Sequence, residues 1–404
     1  MKELNRVRRS SFGGSASSLA RRSSISQKDI IALQETLQKQ QKLSSQVVLL
    51  LIVTVPPVTF LIFYSISIHS GLFMPTITAL FFRWPFVFQC LPSLWDTIAW
   101  KFSIVHCALQ LIFYWFLPHD QALVMSSAGD QLREINSFFS CVLTCLLYVL
   151  GATVGFYRGD LIYTHFNSIV AIFALFSVLT MAFLILSYHL GTGNSDSLLC
   201  LSLTQILYIS HFHWSEDLYL NSLDSKRSSC GFYRLWADFV LAPVIYTAPI
   251  TVISHYHLGT VGLISNCIFS TIAVASIIFT AKCDRQKYDF RKTKGDFKMG
   301  GVDAFFISAK YKTESGEPNI NLLLGSGHWG VCRHPNYTSE ALTFVAFSAF
   351  QGFPSIFAHF PAFFVIGFLI ARAYTDENRC LIKYGQFWAQ YCSKVKYRFF
   401  PGVF

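Results

Sequence analysis

The chain has 404 residues, of which 53% are hydrophobic and 13% are charged, and its net charge is +10. Soluble domains carry about 25% charged residues, so this composition excludes an ordinary soluble protein and indicates a polytopic membrane protein. Because lipid offers the backbone no hydrogen-bond partners, helices rather than sheets should dominate.

The N-terminal segment is basic and rich in Ser and Arg. Residues 1–45 carry nine Lys/Arg and three Asp/Glu, and the four-residue sequence Arg-Arg-Ser-Ser occurs twice. We predict a disordered cytosolic tail over 1–45, followed by a multi-span membrane domain over 46–404. Binding of the tail to anionic lipid, nucleic acid or lamin is possible on charge alone.

Apolar runs then follow along most of the chain. Since a span needs about 20 residues, they predict an all-α protein of about ten transmembrane helices, with both termini cytosolic. The runs cover 46–68, 73–92, 98–117, 136–157, 166–190, 198–213, 236–254, 259–281, 339–353 and 355–373.

The eleven cysteines do not form a recognisable framework, because most of them lie in apolar runs. They have the pattern of small buried hydrophobic residues rather than of disulfides. His211 and His213 flank one residue and would point apart on a helix, so we predict no metal site.

Three polar segments in the C-terminal half carry the candidate chemistry. Lys287 and Arg291 are four residues apart and share a helix face. The second segment is GHWGVCRHPNY at 327–337, where Gly and Pro predict a turn. In the third, four charged residues form one stripe at 100° per residue, and three aromatic residues form a second stripe if the helix continues past Gly385. The charged residues are Arg372, Asp376, Arg379 and Lys383; the aromatic ones are Tyr384, Trp388 and Tyr391.

Two interpretations of these segments stay open. Clustered cations with interleaved aromatic rings suit a nucleotide, whose phosphates are anionic and whose rings are flat. Alternatively, Lys and Arg at the end of a span reach the membrane interface, where Trp and Tyr are also common.

The literal residues resemble the sterol reductase family, which includes Δ14- and Δ7-sterol reductases and the lamin B receptor. The resemblance rests on GHWGVCRHPNY, RAYTDENRCLIKYGQFWAQY, the ending YRFFPGVF, and HWSEDLYLNSLD with GFYRLWADFVLAPVIYT over 213–247. It covers roughly 205–404 and is strongest to the Δ7 branch. It implies a ten-helix membrane protein of the endoplasmic reticulum or inner nuclear membrane, with a cytosol-facing cofactor pocket for NADPH.

The resemblance also implies which residues hold the cofactor. By matching positions they are Lys287, Arg291, Leu324, Trp329, Asn336, Arg372, Asp376, Lys383 and Tyr384. The expected reaction adds a proton and a hydride across a ring double bond of a sterol substrate, and the cofactor supplies the hydride. Tyr391 is a candidate proton donor, and Glu216 and Tyr219 are candidates for orienting or supplying the proton.

A second function from another class remains. The basic tail, and the segment SKRSSC at 225–230 in place of a His-Asp pair usual in the family, favour a nuclear-envelope scaffold like the lamin B receptor. A catalytically inactive, sterol-binding relative fits the same observations.

Overall fold

The computed structural model describes residues 73–83, 97–124, 131–135, 196–221, 261–312, 317–352 and 359–402, with a few single positions between 61 and 253. The predicted tail over 1–45 lies outside these residues, as do most of the apolar runs at 46–68, 136–157, 166–190 and 236–254.

The described part is mostly helical. The helices are α1 (Phe73–Phe82), α2 (Thr97–Phe116), α3 (Asp196–Trp214), α4 (Glu216–Leu220), α5 (Leu263–Lys292), α6 (His328–Val331), α7 (Pro335–Ala349), α8 (Phe360–Tyr384) and α9 (Gln386–Lys394). The strands are β1 (Asp120–Val124), β2 (Gln131–Ile135), β3 (Lys298–Met299), β4 (Val302–Asp303), β5 (Phe306–Lys312) and β6 (Pro318–Leu324).

The helices agree with six of the predicted apolar runs, although the total of about ten stays a prediction. Among the described helices, α5 is the one that is long and apolar enough to cross a membrane. α1, α2, α3, α7 and α8 lie on the runs at 73–92, 98–117, 198–213, 339–353 and 355–373.

The helical core lies where α7 packs between α5 and α8, with α3 against α5. Its buried centre is aromatic: Phe344, Phe347 and Phe350 are almost fully buried and pack with Leu201 of α3 and Ala273 of α5. Small residues such as Ala273 let neighbouring helices approach closely, which favours helix association in lipid.

Both α5 and α8 continue well beyond their apolar runs. α5 extends through KCDRQKYDFRK to Lys292, and α8 extends through RAYTDENRCLIKY to Tyr384. Each helix therefore has an apolar part and a charged part, and the charged residues are held on rigid helical turns rather than in loops.

Three antiparallel hairpins accompany the helices. β1 pairs with β2, β3 with β4 and β5 with β6, and in the last pair Phe306 lies opposite Leu324. The β5–β6 hairpin packs on α8 and α9, where Ala309 and Leu323 contact Tyr384 and Trp388. The polar segment between α5 and α7 is thus folded back onto the charged ends of the helices.

A buried ionic network fixes the C-terminal segment. Arg333 Nε donates to Glu377 Oε1 at 2.6 Å, and Arg398 Nε donates to Glu377 Oε2 at 2.8 Å. Arg333 Nη1 also donates to the carbonyl oxygens of Val395 and Lys396. These contacts join α8, the residues before α7 and the chain after α9 around one carboxylate.

The network also sets the ionisation of Glu377. Burial alone would raise the pKa of this carboxyl group, but the hydrogen bonds from Arg398 and Arg333, together with His334 Nε2 at 3.7 Å, outweigh burial and lower the pKa to about 2. Because the folded pKa lies below the ordinary value, Glu377 stabilises the fold fully above about pH 4.5, and the contribution is lost as the pH falls towards 2.

We expect Glu377→Gln to lower the free energy of unfolding at pH 7 by about 3–5 kcal/mol, because two guanidinium groups lose their buried counter-ion. Denaturant unfolding of the purified protein in detergent measures it. The difference between the wild type and Glu377→Gln should shrink as the pH is lowered from 7 to 3.

Asp303→Asn is the matched control, because Asp303 is an exposed carboxylate on β4. Its effect should stay within about 0.5 kcal/mol at either pH. Equal stability of the wild type and Glu377→Gln at pH 7 would contradict a structural role for the network.

Candidate functional site

The charged ends of α5 and α8 converge beside the first turn of α7. Lys287 on α5 lies within electrostatic range of Arg291 and Asp284 on its own helix and of Asp376 on α8. Asn336 of α7 completes the group by donating from Nδ2 to Asp284 Oδ1 at 3.0 Å. Four of the predicted cofactor residues therefore meet in one place: Lys287, Arg291, Asn336 and Asp376.

The ring of Trp329 contacts the side chain of Lys287. The Lys287 Nζ lies 4.0 Å from the centre of the Trp329 ring, a cation–π contact. The indole Nε1 donates to the carbonyl oxygen of Cys283 at 2.9 Å, and Leu324 packs in the same buried cluster. Trp329 and Leu324 are therefore buried in one cluster, and Lys287 lies against the ring of Trp329.

The turn before Trp329 needs a glycine. Gly327 has φ +60°, and a Cβ at this position would lie 2.4 Å from Gln286 Nε2. Gln286 uses its Oε1 to accept from the backbone N–H of His328 at 3.0 Å, which ties α6 to α5. The predicted turn in GHWGVCRHPNY is therefore present, and α6 follows it.

The remaining predicted cofactor residues of α8 have aromatic partners. Arg372 Nε donates to the Tyr337 hydroxyl at 2.9 Å, and it lies within electrostatic range of Asp284. Lys383 Nζ lies 4.1 Å from the centre of the Tyr311 ring on β5. Tyr384 is buried, its hydroxyl accepts from Asn321 Nδ2 at 2.5 Å, and burial raises its pKa to about 12.

The helix does not continue past Gly385, contrary to the condition set for the aromatic stripe. Gly385 has φ +52°, and α8 ends there while α9 begins one residue later. Tyr384, Trp388 and Tyr391 nevertheless share one buried cluster, because the bend folds α9 against α8 and β5. The three aromatic residues therefore lie together as predicted, but a bend between two helices brings them together rather than one regular helix.

Tyr391 lies within this cluster. Its hydroxyl donates to the carbonyl oxygen of Trp329 at 3.4 Å, and its ring stacks on Trp388. Burial raises the pKa of this phenol well above its ordinary value, so it keeps its proton at neutral pH. This contact joins Tyr391 to Trp329, whose ring also contacts Lys287.

Glu216 and Tyr219 occupy a different side of α5. Their helix α4 is bound to α5 by Asp217, which accepts from Arg285 Nη1 at 2.8 Å. Arg285 and Lys287 are two residues apart, about 200° around the helix. This geometry places α4 across α5 from the Lys287 group.

A buried polar pair escaped the sequence-based prediction. The Tyr208 hydroxyl of α3 donates to Glu340 Oε1 of α7, and its ring packs edge-on against Phe344 and Phe347. Glu340 is one helical turn after Asn336, towards the apolar end of α7. A carboxyl group within an apolar run was the available signal, because ionisable residues inside membrane bundles are costly and usually functional.

Metal ligands are not grouped in the described residues, where no set of three or more His, Cys, Asp or Glu side chains has metal-binding geometry. His213 is buried on α3, whereas His211 is half-buried beside Ser215.

We expect Gly385→Ala to destabilise the protein by about 1–3 kcal/mol, because a Cβ is strained at this backbone conformation. The strain should also loosen the packing of Trp388 and Tyr391. Thermal unfolding measures the first effect, and tryptophan fluorescence reports the second.

Gly367→Ala is the control within the same helix, because a Cβ there meets nothing within 4 Å. It should be neutral or slightly stabilising, since Ala has the higher helix propensity. Similar losses in both variants would contradict a specific requirement at Gly385.

Comparison with known proteins identifies relatives of this chain. The model of the "Ergosterol biosynthesis ERG4/ERG24 family" matches residues 172–404. The chain is 32% identical to "7-dehydrocholesterol reductase" of Arabidopsis thaliana over 332 residues, which cover 74% of each protein. It is 31% identical to "7-dehydrocholesterol reductase" of Xenopus laevis over 212 residues, 52% of this chain and 44% of that protein.

A third relative belongs to another branch. The chain is 29% identical to a "Delta(14)-sterol reductase" of Mus musculus over 200 residues, 50% of this chain and 45% of that protein. The chain thus spans less than half the length of the frog and mouse relatives in these alignments. The family match covers more than half of the chain and the plant relative is matched over about three quarters, so this protein belongs to the ERG4/ERG24 family of sterol reductases, a family of membrane proteins.

Proposed function

We propose that this protein reduces a ring double bond of a sterol with NADPH, and its kinship with proteins named 7-dehydrocholesterol reductase supports the sterol substrate. One observation carries the proposal: cations and carboxylates from α5 and α8 meet beside Trp329 and Asn336, at the polar ends of two otherwise apolar helices. This is the arrangement expected where a water-soluble anionic cofactor must reach a membrane-embedded substrate.

The donor set suits NADPH. Lys287, Arg291, Arg372 and Lys383 supply four positive charges, whereas Asp284 and Asp376 supply two negative ones, and this surplus of two favours a polyanion. Lys287 and Arg372 are also held in place by aromatic contacts with Trp329 and Tyr337. Positioned cations lose less entropy on binding phosphates than free surface side chains do.

The residues divide by chemistry. Lys287, Arg291, Arg372 and Lys383 would bind phosphates, whereas Asp376 and Asn336 offer oxygen and amide groups suited to ribose or carboxamide. Leu324, Trp329 and Tyr384 would shape the site from the buried side. When bound, NADPH supplies the hydride.

The proton must come from the chain or from water that it holds. Tyr391 is the favoured donor, because its hydroxyl contacts the carbonyl oxygen of Trp329, whose ring contacts Lys287. The position of Glu216 and Tyr219 across α5 from Lys287 makes them the less suited pair. Tyr208 and Glu340 add a second pair of ionisable groups, which lies between α3 and α7.

The membrane arrangement completes the proposal. Ile264 on α5 and Phe363 on α8 are 78% and 56% exposed, which suits contact with lipid. We propose about ten spans over 46–404, a cytosolic tail over 1–45, cytosolic termini and residence in the endoplasmic reticulum. The scaffold alternative rests on the basic tail and on the segment SKRSSC at 225–230, both of which lie outside the described residues. The relatives reported above are named as reductases.

NADPH titration of the purified protein in detergent tests the cofactor. Arg372→Lys, Asp376→Ala and Lys287→Ala should each weaken binding by about 10- to 100-fold, the loss of one charge-assisted contact of about 1.5–3 kcal/mol. Arg372→Lys distinguishes cofactor binding from a role at the membrane interface. Lys reaches the interface as well as Arg does, but it lacks the planar guanidinium group that binds a phosphate through two hydrogen bonds. Absence of saturable binding by the wild type at millimolar NADPH would exclude the cofactor.

Expression in cells that lack a sterol reductase tests the substrate. The wild type should convert Δ7-sterols in cells that lack Δ7-reductase, and sterols are measured by mass spectrometry. Tyr391→Phe should reduce turnover by about 100-fold or more while NADPH affinity is retained, since general acid catalysis contributes about 10²–10⁴-fold. Conversion only in Δ14-deficient cells would reassign the double bond, and conversion in neither would favour the inactive relative.

A further inference from the structure

Arg379 of α8 belongs to the charged face that meets α5. At 100° per residue it lies within about 20° of Arg372 and about 60° of Asp376 around the helix axis. Asp376 is within electrostatic range of Lys287. Arg379 therefore projects on the same side of α8 as the proposed cofactor residues, although the family resemblance assigned it no role.

Arg379 differs from its neighbours in having a buried donor without an acceptor. Its side chain is half-buried, and among the described residues no atom accepts a hydrogen bond from Nη1, which is buried. Arg372 by contrast donates to the Tyr337 hydroxyl, and Arg398 donates to Glu377. A buried guanidinium N–H without an acceptor is unfavourable, so this position is expected to receive an anion from outside the chain.

The carboxylates that precede Arg379 on α8 already have cationic partners. Glu377 accepts from both Arg333 and Arg398, and Asp376 lies with Lys287. A planar guanidinium with a free edge matches two oxygens of a phosphate group better than any other common biological anion except a carboxylate. The surplus of positive charge around the site favours the more highly charged phosphate.

We propose that Arg379 binds a phosphate group of the dinucleotide cofactor, as a further cofactor-binding residue of this site. The proposal rests on the proposed function, because the phosphate is that of NADPH. A phosphate of a lipid headgroup offers the same chemistry, and the experiment separates the two sources.

The test compares the wild type with Arg379→Gln and Arg379→Lys, purified in detergent, by calorimetric titration with NADPH and with NADH. Arg379→Gln should weaken NADPH binding by about 10- to 100-fold, and Arg379→Lys should recover only part of it, because a point charge does not replace the fork. A loss for NADPH alone assigns the contact to the 2′-phosphate, and an equal loss for NADH assigns it to the pyrophosphate; both support the proposal. Lys298→Gln, which removes an exposed charge on β3, should bind like the wild type.

Thermal unfolding without cofactor gives a readout independent of activity. If Arg379 binds a ligand, its substitution should leave the melting temperature of the cofactor-free protein unchanged or raised. It should also reduce the stabilisation of the protein by NADPH. A structural arginine would behave in the opposite way, so a lower melting temperature of both Arg379 variants without cofactor would overturn the proposal.

Three further outcomes also count against the proposal. Saturable NADPH binding that is equal in the wild type and Arg379→Gln overturns this inference but leaves the proposed function intact. Stabilisation by micelles containing phosphatidic acid that requires Arg379, with NADPH affinity unchanged, assigns the residue to a lipid headgroup instead. No NADPH binding by the wild type overturns the cofactor and this inference together.

Discussion

The carboxylate of Glu377 binds Arg333 and Arg398 at once, and the site depends on this contact. Arg333 precedes α7, Glu377 lies on the charged part of α8, and Arg398 follows α9. One buried group therefore fixes the distance between α7 and α8 and folds the C-terminal segment across both. Removing a charge from such a network leaves the others uncompensated in a poorly solvated place, so the three segments are expected to move as one unit.

A second constraint is the continuity of α5 and α8 from apolar into charged residues. Each helix holds its charged turns at a fixed distance and rotation from its apolar turns. Two helices therefore bring Lys287 and Asp376 together, and Asn336 at the start of α7 donates to Asp284 beside Lys287. Residues held on rigid helices suit a site that must align a soluble cofactor with an apolar substrate. Glu340, which accepts from Tyr208, lies one helical turn after Asn336 on α7.

Helical periodicity predicted much of the site and failed at identifiable places. The stripe of Arg372, Asp376 and Lys383 follows from 3.6 residues per turn, and α8 is indeed continuous over all of them. The aromatic grouping was expected from the same periodicity, but Gly385 ends the helix and the grouping arises from a bend. The partners of Glu377 were not foreseen, because they lie 44 residues before and 21 residues after it in the chain. The hairpin of β5 and β6 was also not foreseen, since short strands in a polar segment leave little periodicity.

By itself the sequence determined that this is a helical membrane protein of the sterol reductase family, because apolar runs and literal motifs are properties of local order along the chain. It also determined which helix faces are charged. Only the tertiary structure decided which faces meet: that Lys287 rests on Trp329, that α4 lies across α5 from it, and that Tyr391 reaches the Trp329 carbonyl. Within the described residues it also showed that Nη1 of Arg379 is buried without an acceptor. These are contacts between residues distant in sequence, fixed by packing of whole helices, and no local pattern encodes their pairing.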